Sequence, residues 1–382
     1  MKILYISQYF PPEMGAPAAR VSELARHWAR AGHQVTVLTG FPNHPTGVVP
    51  WNYRQRMWRG TIVEQVDGIH VVRTWLFPTP NRLPSERILN YTSFFFSACL
   101  RGLFLRRPDV VIATSPQLLA GLCGWCISQV KNSPFVLEIR DLWPESLLAS
   151  GIGRDNSFLI SSLKKVASFL YRYCDRIVVV TEAFKENLII QKGLPQEKID
   201  VIENGVEAEE FCPKGDTHIL RRHLGLDGQF IASYIGTIGF AHGLEIVLRA
   251  AHSLKDVRPE IFFLLVGEGA DKERLQKIAE IERLDNIRFL NQQPRSKIPL
   301  FINASDVCLV PLRKSELFTT VIPSKMLEVM ACGCPVVLGV DGQARRILDQ
   351  AGAGIFIEPE DHRALVDVLI RLYRDPILRT QL

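Results

Sequence analysis

The sequence has no apolar run long enough to cross a membrane, and its charges nearly balance. The best candidate, Ile88 to Leu100, is shorter than the roughly 20 residues that a spanning helix needs, and Arg101 interrupts it. The net charge is only +5 over 382 residues, so bulk charge does not indicate a nucleic-acid partner. No low-complexity tract or tandem repeat is present, which excludes fibrous and solenoid classes.

Eight cysteines are present, but they do not look like a disulfide framework. Most lie in apolar stretches, as buried free thiols do, and reduced thiols favour the cytoplasm. Cys123 and Cys126 have the spacing of a redox motif. The surrounding sequence predicts a helix with both thiols on one face, so packing explains them better. The opening MKILYISQYFPPE passes straight into a strand, and we expect no signal peptide.

One section of the chain is strongly basic. Between Trp51 and Arg107 there are nine arginines and three acidic residues. Arginine suits contact with phosphate or an anionic headgroup, although a solvated surface explains such a run as well. The apolar stretch inside this section is typical of an interfacial helix or of a core helix. An anionic membrane surface is therefore a candidate partner, and a peripheral position on the inner face of the plasma membrane is an alternative to a purely cytoplasmic one.

Strand-like runs alternate with helix-length segments along the chain. This alternation predicts parallel sheets covered by helices, and a chain of this length is expected to form two domains. The pattern restarts after a polar join that contains Gly and Pro. We predict an α/β protein with two Rossmann-like domains facing a central cleft, over residues 1–210 and 211–361. A C-terminal helix over residues 362–382 is expected to pack back toward the first domain.

Ligands of open α/β sheets bind at the carboxyl ends of the strands, so the residues that follow each strand are the candidate site. After the first strand, Gly15 and Ala16 open a helix whose N-terminus favours an anion. After the strand over residues 135–139, Arg140 and Asp141 concentrate charge at a strand end. A surface ion pair with a helix cap would explain these two residues, but their position favours a contact with a ligand.

The second domain carries glycines and basic residues at corresponding strand ends. The backbone amides of the loop GTIGFAHG could hold a diphosphate. The full G-x-G-x-x-G fingerprint is absent, so we expect no dinucleotide cofactor. His242 is interpreted as a binding residue only. The candidate binding residues in these loops are Gly236, Thr237, Gly239, His242, Gly267, Glu268, Gly269 and Arg313.

The segment IPSKMLEVMACGCPVV begins with Ile322 and Pro323, which we add to the binding residues. Ser324 and Lys325 start a helix, and Glu328 lies one turn in. A carboxylate among apolar residues needs a partner. It could pair with Lys325 at i, i+3, or it could accept hydrogen bonds from the hydroxyls of a ribose. With the glycine loops, this segment has the groups that a nucleoside diphosphate needs.

These motifs resemble those of the retaining glycosyltransferases of family four, which have the GT-B fold. The resemblance spans nearly the whole chain. It rests on YFPPEMGAPAAR, LEIRDLWPES, VIENGVEAEEF, YIGTIGFAHGLE, LLVGEGAD and IPSKMLEVMACGCPVV. The branch is similar to bacterial cell-surface polysaccharide enzymes, especially the N-acetyl-L-fucosamine transferases of O-antigen assembly.

The resemblance implies that the second domain binds a nucleotide sugar, such as UDP-N-acetyl-L-fucosamine, and that the first binds a lipid-linked saccharide acceptor. The sugar would move with retention, without a dedicated metal or other cofactor. Lys325 and Arg313 would hold the diphosphate, and Glu328 the ribose. Gly15 and Ala16 would lie near the donor phosphates and the transferred sugar. The catalytic candidates are Arg140, Asp141, Lys325 and Glu328, of which Asp141 would face the acceptor or the sugar.

The chain departs from the family pattern in three places. Thr237 and His242 stand where many members have an arginine and a lysine, so another basic group of the site, or His242 itself, has to supply positive charge. Arg140 stands where a histidine usually precedes Asp141. Thr320 replaces the first of two glutamates spaced eight apart. Two other classes stay open: a UDP-sugar epimerase of the same fold, and a non-catalytic GT-B partner subunit.

Overall fold

The structure is a computed structural model that describes residues 1–44, 46–80, 83–146, 158–213 and 217–382. Arg82 of the basic section lies outside these ranges. The chain forms two compact units, of which the first ends at Glu203 and the second begins at Asn204. This division falls in the same connecting segment as the predicted boundary at residues 210 and 211.

The first unit alternates strands and helices, as predicted. Its elements are β1 Lys2–Ile6, α1 Ala16–Arg30, β2 Gln34–Gly40, α2 Trp51–Met57, β3 Thr61–Val66, β4 Ile69–Thr74, α3 Pro84–Leu103, β5 Val110–Thr114, α4 Leu118–Lys131, β6 Phe135–Ile139, α5 Phe158–Tyr173, β7 Arg176–Val179, α6 Glu182–Lys192 and β8 Ile199–Val201. The described strands form one eight-stranded sheet in the order β3-β4-β2-β1-β5-β6-β7-β8. The strand order reverses between β1 and β5, where a doubly wound sheet opens a ligand crevice.

The edge of this sheet is a β-hairpin that sequence reasoning did not identify. β3 runs antiparallel to β4, and Asp67 and Gly68 form the turn with positive φ angles of 51° and 80°. Asp-Gly is a common hairpin signal, so the sequence did contain the information. Arg73 on β4 is fully buried, and its Nε lies 2.5 Å from Oε1 of Glu64 on β3. A buried ion pair therefore joins the two strands.

The second unit repeats the architecture with a smaller sheet. Its elements are α7 His218–His223, β9 Phe230–Ile235, α8 Glu245–Leu254, β10 Ile261–Val266, α9 Lys272–Ile281, β11 Ile287–Leu290, α10 Ile298–Asn303, β12 Val307–Pro311, α11 Ser324–Ala331, β13 Val336–Gly339, α12 Gln343–Ala351, β14 Gly354–Phe356, α13 His362–Arg374 and α14 Pro376–Gln381. The described strands pair in parallel in the order β11-β10-β9-β12-β13-β14. The order reverses between β9 and β12.

Apolar side chains cover both faces of the second sheet. Along β9, Ala232 and Tyr234 join one buried cluster, whereas Ile231 and Ile235 join another. Successive side chains of a strand point to opposite faces, so the two clusters lie on the two sides of the sheet. Both faces are buried, which explains the continuous apolar runs of these strands.

The C-terminal segment forms two helices, whereas the sequence predicted a single one over residues 362–382. It forms α13 and α14, with Pro376 at the start of the second helix. Proline cannot continue a helix interior but suits its first turn. Leu365, Leu369 and Leu372 of α13 are buried in the same cluster as α8. Their i, i+4, i+7 spacing makes a stripe that the core of the second unit covers.

None of the helices in the described part of the chain combines the length and the apolar character that crossing a bilayer demands.

Candidate functional site

Two glycine-containing loops interlock at the carboxyl edge of the second sheet. The loop after β9 and the loop after β10 exchange backbone hydrogen bonds: Ile238 N donates to Glu268 O over 2.9 Å, and Asp271 N donates to Ile238 O over 3.1 Å. A Cβ atom at Gly267 would lie 1.9 Å from Gly236 O, and one at Gly269 would lie 2.1 Å from Ile238 O. The absence of a side chain at Gly267 and Gly269 therefore allows the main chains of the two loops to approach each other closely.

Lys325 points its ammonium group at this loop pair from the first turn of α11. Its Nζ donates to Tyr234 Oη over 2.7 Å and lies 4.0 Å from the centre of that ring. Gly236 has a φ of +148°, and a Cβ atom there would lie 2.8 Å from Lys325 Nζ. The Tyr234 hydroxyl in turn donates to Thr237 O over 2.5 Å. A strand, a loop and a helix thus fix the position of one cation.

Burial changes the charge of this cation. It lowers the pKa of Lys325 to about 7, while the negative charge of Glu328 acts in the opposite direction. Desolvation disfavours the charged form of a lysine, so the ammonium is partly deprotonated near neutral pH. An anion bound beside it would restore the proton.

His242 lies in the short turn Phe240–His242 that follows Gly239. Its Nδ1 lies 3.3 Å from Gly239 O, and its ring meets that of Tyr234 edge-on with centroids 5.8 Å apart. Burial, and then the charge of Lys325, hold the pKa of His242 well below its ordinary value. A neutral imidazole carries no positive charge, so the structure favours Lys325 and Arg313 over His242 as the source of charge for a phosphate.

Arg313 follows β12 and braces the turn that contains His242. Its Nε donates to Phe240 O over 2.7 Å, and its Nη2 lies 3.1 Å from Glu245 Oε1 at the start of α8. Glu245 also pairs with Arg274. The sequence predicts that Arg313 holds a diphosphate. Its guanidinium would then contact the diphosphate, Phe240 O and Glu245 together.

The partner of Glu328 is a residue that sequence reasoning missed. Arg295 Nη1 donates to Glu328 Oε1 over 2.9 Å, whereas the ammonium of Lys325 bonds to Tyr234. The guanidinium of Arg295 lies 4.8 Å from the ring centre of Phe211. Arg295 begins a short turn in the segment after β11, so its position near a strand end was the available signal. Glu328 therefore forms its hydrogen bond with Arg295 and not with Lys325, which was the alternative partner.

The other predicted residues of this unit have local roles. Glu268 accepts a hydrogen bond from Lys272 Nζ over 2.7 Å. Pro323 is the N-cap residue of α11, Ser324 is its first residue, and the side chain of Ile322 is buried. Thr320, which replaces a family glutamate, donates to Leu317 O over 2.6 Å.

In the first unit, Arg140 holds the start of α1. Its Nη2 donates to Ala16 O over 3.2 Å and its Nη1 to Pro17 O over 3.4 Å, while Nε makes no hydrogen bond within the described residues. Gly15 is the N-cap residue of this helix and has a φ of 125°. Helix α1 begins at Ala16, at the helix start that the sequence predicted, because alanine is a strong helix former and proline suits the first turn.

A buried carboxylate that the sequence did not single out supports this corner. Glu138, near the end of β6, accepts hydrogen bonds from Tyr5 Oη over 2.6 Å and from Arg20 Nε over 2.7 Å. Arg20 also donates to Ile202 O over 3.2 Å. Arg140 acts on Glu138 through its charge and holds the start of α1, which is a positioning role. The catalytic role expected from the sequence stays a prediction.

Asp141 lies at the predicted strand end and is partly buried. It accepts a hydrogen bond from Ser146 Oγ over 2.5 Å. Burial raises the pKa of Asp141, and the hydrogen bond of Ser146 opposes that rise. A carboxyl group whose pKa is raised in this way is suited to exchanging a proton with a hydroxyl group.

A network of neutral polar side chains lies beside the ends of β1 and β2. Gln8 Nε2 donates to Asn90 Oδ1 over 2.5 Å, and Asn90 Nδ2 donates to Asn43 Oδ1 over 3.3 Å. Glu13 Oε1 accepts from Asn43 N over 2.9 Å and from His44 N over 3.0 Å. Burial raises the pKa of Glu13 to about 7. These bonds fix the loops at the switch point of the first sheet.

Within the described ranges, no group of three or more histidine, cysteine, aspartate or glutamate side chains is arranged to hold a metal ion.

Family models match both units of the chain. The model "Glycosyl transferase 4-like domain" matches residues 15–205, and "Glycosyl transferases group 1" matches residues 216–382. Two Rossmann-like units of this kind define a GT-B enzyme. The chain belongs to the group 1, glycosyl transferase 4-like family, and it is a glycosyltransferase.

Curated relatives are similar over most of their length. A chain described as a colanic acid biosynthesis glycosyl transferase, WcaI of Escherichia coli K12, is 28% identical over 379 residues, covering 96% of this chain and 90% of the relative. The glycosyltransferase WbjE of Pseudomonas aeruginosa is 26% identical and covers 76% and 72%. A D-inositol 3-phosphate glycosyltransferase of Salinispora arenicola is 25% identical and covers 97% and 82%.

Solved structures share the fold at low identity. Sucrose-phosphate synthase of Thermosynechococcus elongatus superposes with a TM-score of 0.74 at 19% identity, covering 100% of this chain and 91% of that one. HepE of Anabaena, in complex with UDP and glucose, gives 0.71 at 18%, covering 100% and 92%. WaaG, a glycosyltransferase involved in lipopolysaccharide biosynthesis, gives 0.72 at 16%, covering 99% and 92%.

The interlocked loops predict a sharp difference between two glycine substitutions. Gly269→Ala places a methyl group against Ile238 O, so we expect the free energy of unfolding to fall by about 1–3 kcal/mol. Gly205→Ala is the matched control because no atom lies within 4 Å of its added Cβ, and it should change stability by about 0.5 kcal/mol at most. Urea unfolding measures both. Equal stability of the two variants would contradict the interlock.

Proposed function

We propose that this glycosyltransferase moves a sugar from a nucleotide-sugar donor to a lipid-linked saccharide acceptor, with retention of configuration. The observation that carries the proposal is the ammonium group of Lys325, fixed by Tyr234 beside the Gly236 loop at the carboxyl edge of the second sheet. Ligands of such sheets bind at this edge. A diphosphate is the part of the donor that needs a fixed cation.

In this proposal Lys325 stabilises the departing diphosphate. Its pKa of about 7 is low because the ammonium is desolvated, and a neighbouring phosphate raises the pKa of a lysine. Donor binding therefore takes up a proton, and the protonated side chain faces the charge that develops as the sugar leaves. The helix start at Ser324 adds backbone N–H groups that favour an anion.

Glu328 is proposed to accept hydrogen bonds from the ribose of the donor. The ion pair with Arg295 holds the carboxylate in a fixed orientation, one helical turn from Lys325. A carboxylate has lone pairs for several donors, so a ribose hydroxyl and Arg295 can bond to it together.

The acceptor is proposed to bind the first unit. Asp141 would act on the acceptor hydroxyl, because its raised pKa makes it a better base than an exposed aspartate. Arg140 would position Gly15 and Ala16, the exposed start of α1, near the donor phosphates and the transferred sugar. No metal or other cofactor is part of this proposal.

The donor is proposed to be a UDP-sugar such as UDP-N-acetyl-L-fucosamine, and the product a bacterial surface polysaccharide of the O-antigen or capsule type. WcaI is described by its role in colanic acid biosynthesis, and WaaG by its role in lipopolysaccharide biosynthesis. HepE has been solved with UDP and glucose. These relatives support surface polysaccharide synthesis and a uridine nucleotide for this chain.

A membrane surface is proposed to bring the lipid-linked acceptor to the first unit. Large apolar side chains there are exposed instead of buried: Trp58 is 94% exposed, Phe96 65% and Phe104 74%. Phe96 and Phe104 lie on or directly after α3, close in sequence to Arg106 and Arg107. Aromatic side chains with arginines beside them are typical of an interfacial contact with anionic lipid.

Liposome flotation tests the membrane contact. We expect binding to anionic vesicles and weaker binding to neutral ones, and a large loss for the double variant Phe96→Ser and Phe104→Ser. Ile190→Ser is the matched control because Ile190, also in the first unit, is 74% exposed. Replacing Arg101, Arg106 and Arg107 should weaken binding to anionic vesicles alone. Wild-type protein that does not float with anionic vesicles would refute the membrane contact.

The pKa of Lys325 predicts proton uptake during donor binding. At pH 6 the free lysine is already protonated, so uptake is near zero; at pH 8 it is mostly neutral, so uptake approaches one proton. Calorimetry of donor binding in buffers of different ionisation enthalpy measures this uptake. A UDP-sugar is used instead of UDP because the terminal phosphate of free UDP itself titrates near pH 6. Lys325→Met should abolish uptake and weaken binding on the order of 10- to 100-fold, while the exposed Lys297→Met should do neither. Buffer-independent heats at pH 8 would exclude Lys325 as the proton acceptor.

The reaction itself is tested with a panel of nucleotide sugars. A thermal-shift screen of UDP-, GDP- and dTDP-sugars finds the donor, and mass spectrometry with a lipid-linked N-acetylglucosamine acceptor detects the product. We expect a glycosylated lipid and retention at the anomeric carbon. Isomerised donor without acceptor would indicate an epimerase instead. Absence of nucleotide binding, with Glu328→Ala unchanged, would indicate a non-catalytic partner subunit.

A further inference from the structure

An exposed histidine lies at the carboxyl edge of the first sheet, in the loop after β2. His44 is exposed, but its backbone is held from within the protein. The buried carboxylate of Glu13 accepts hydrogen bonds from Asn43 N over 2.9 Å and from His44 N over 3.0 Å. The fixed backbone limits the positions that the imidazole can take up, and this edge is where open α/β sheets bind ligands. His44 is therefore a candidate for contact with a substrate.

Two tyrosines support the ring of His44. The ring of Tyr9 meets that of His44 edge-on, with centroids 5.2 Å apart. Tyr9 Oη in turn donates to Tyr91 Oη, in the first half of α3, over 3.5 Å. Desolvation by the surrounding residues, and then the charge of Arg87, lower the pKa of His44 to about 4, so the imidazole is neutral at neutral pH. A neutral imidazole offers one donor and one acceptor, which suits a saccharide hydroxyl better than a phosphate.

Next to Tyr9 in the chain, a buried side-chain amide lacks one hydrogen bond. Gln8 is 2% exposed. Its Nε2 donates to Asn90 Oδ1 over 2.5 Å, whereas its Oε1 has no hydrogen-bond partner in the described part of the chain. A buried acceptor without a donor is costly and rare in native proteins, and a ligand is one explanation for it. A hydroxyl group or an amide N–H group of a saccharide is a donor of the required kind.

The position of His44 along the sheet edge bears on the length of the acceptor. The strand order β2-β1-β5-β6 puts three strand spacings between the end of β2, before His44, and the end of β6, before Asp141. Neighbouring strands lie about 4.7–4.9 Å apart, so these two strand ends lie roughly 14 Å apart along the edge. A single pyranose ring is smaller than this separation. Two linked rings, with a hydrogen bond at each end, are comparable to it.

We propose that His44 and Gln8 bind the second saccharide unit of the acceptor, next to the unit that receives the transferred sugar at Asp141. The inference rests on the proposed function, and it narrows the acceptor to a lipid-linked oligosaccharide of at least two units. The imidazole of His44 bonds to a hydroxyl group of the second unit. Gln8 Oε1 accepts a hydrogen bond from a hydroxyl group or an N-acetyl N–H group of the same unit. Both residues act in binding, and no covalent bond of the acceptor changes at either.

Initial rates with two acceptors on the same lipid test the proposal. One acceptor carries a single N-acetylglucosamine, and the other carries two linked N-acetylglucosamine units. We expect the KM of the wild type for the disaccharide acceptor to be about 3- to 10-fold lower than for the monosaccharide acceptor, which is the effect of one or two added hydrogen bonds. The KM of the nucleotide-sugar donor should be the same with either acceptor.

Variants assign this difference to the two residues. His44→Ala should raise the KM of the disaccharide acceptor to that of the monosaccharide acceptor, with the KM of the donor unchanged. His44→Gln, whose amide keeps a donor and an acceptor, should restore part of the difference, and Gln8→Leu should remove part of it. His27→Ala, at an exposed histidine in the last turn of α1, is the matched control and should change neither KM. Circular dichroism identifies the variants that fold, and the exposed His44 keeps the test valid if Gln8→Leu does not.

The outcomes separate this inference from the proposed function. Equal KM values of the wild type for the two acceptors would overturn the inference while the transfer reaction stands. An equal rise of both KM values in His44→Ala would overturn it as well. His44 would then contact a part that both acceptors share, such as the lipid diphosphate, with Arg87 as the cation that acts on the same ring. Transfer to neither acceptor would count against the proposed function itself, and the inference would fall with it.

Discussion

The candidate site depends on a backbone contact between two loops of the second unit. Gly236 O and Ile238 O occupy the space that side chains at positions 267 and 269 would need. This contact fixes the relative position of the two loops, and the Lys325 ammonium lies against the pair of loops. Enforced contact between main chains is a stiffer support than side-chain packing, because main-chain atoms have no alternative rotamers.

In the proposed donor site, Lys325 takes the role for which the family pattern has an arginine and a lysine. Thr237 contributes a carbonyl oxygen and His242 a neutral ring, so this loop holds less positive charge than the family pattern would give it. The positive charge instead comes from α11, where burial makes it conditional on pH and on the presence of an anion. With no anion beside it, the partly neutral Lys325 avoids much of the cost of holding a desolvated charge.

The α/β architecture of the two units was predictable because strand and helix periodicities are local properties of the sequence. Helix α11 begins at Ser324, as predicted, and its place at the carboxyl edge of the sheet followed from the topology. The partner of Glu328 could not be predicted, because Arg295 is 33 residues away and no local pattern encodes such a pairing. Glu138 was missed since a charged residue inside a strand is identified as buried only when its partners are known. The catalytic role of Arg140 was an implication of the family resemblance, and no local pattern indicated the hydrogen bonds by which it holds the start of α1.

The hairpin at the edge of the first sheet has a consequence for how this protein behaves at high concentration. An edge strand offers unpaired main-chain groups to any other strand, and such edges lead to aggregation when they are flat and apolar. β3 instead carries Glu64, which is anchored from within the sheet by the buried Arg73. A foreign strand that docked here would have to desolvate this carboxylate further, at a cost in free energy. The ion pair therefore helps to keep copies of the protein apart.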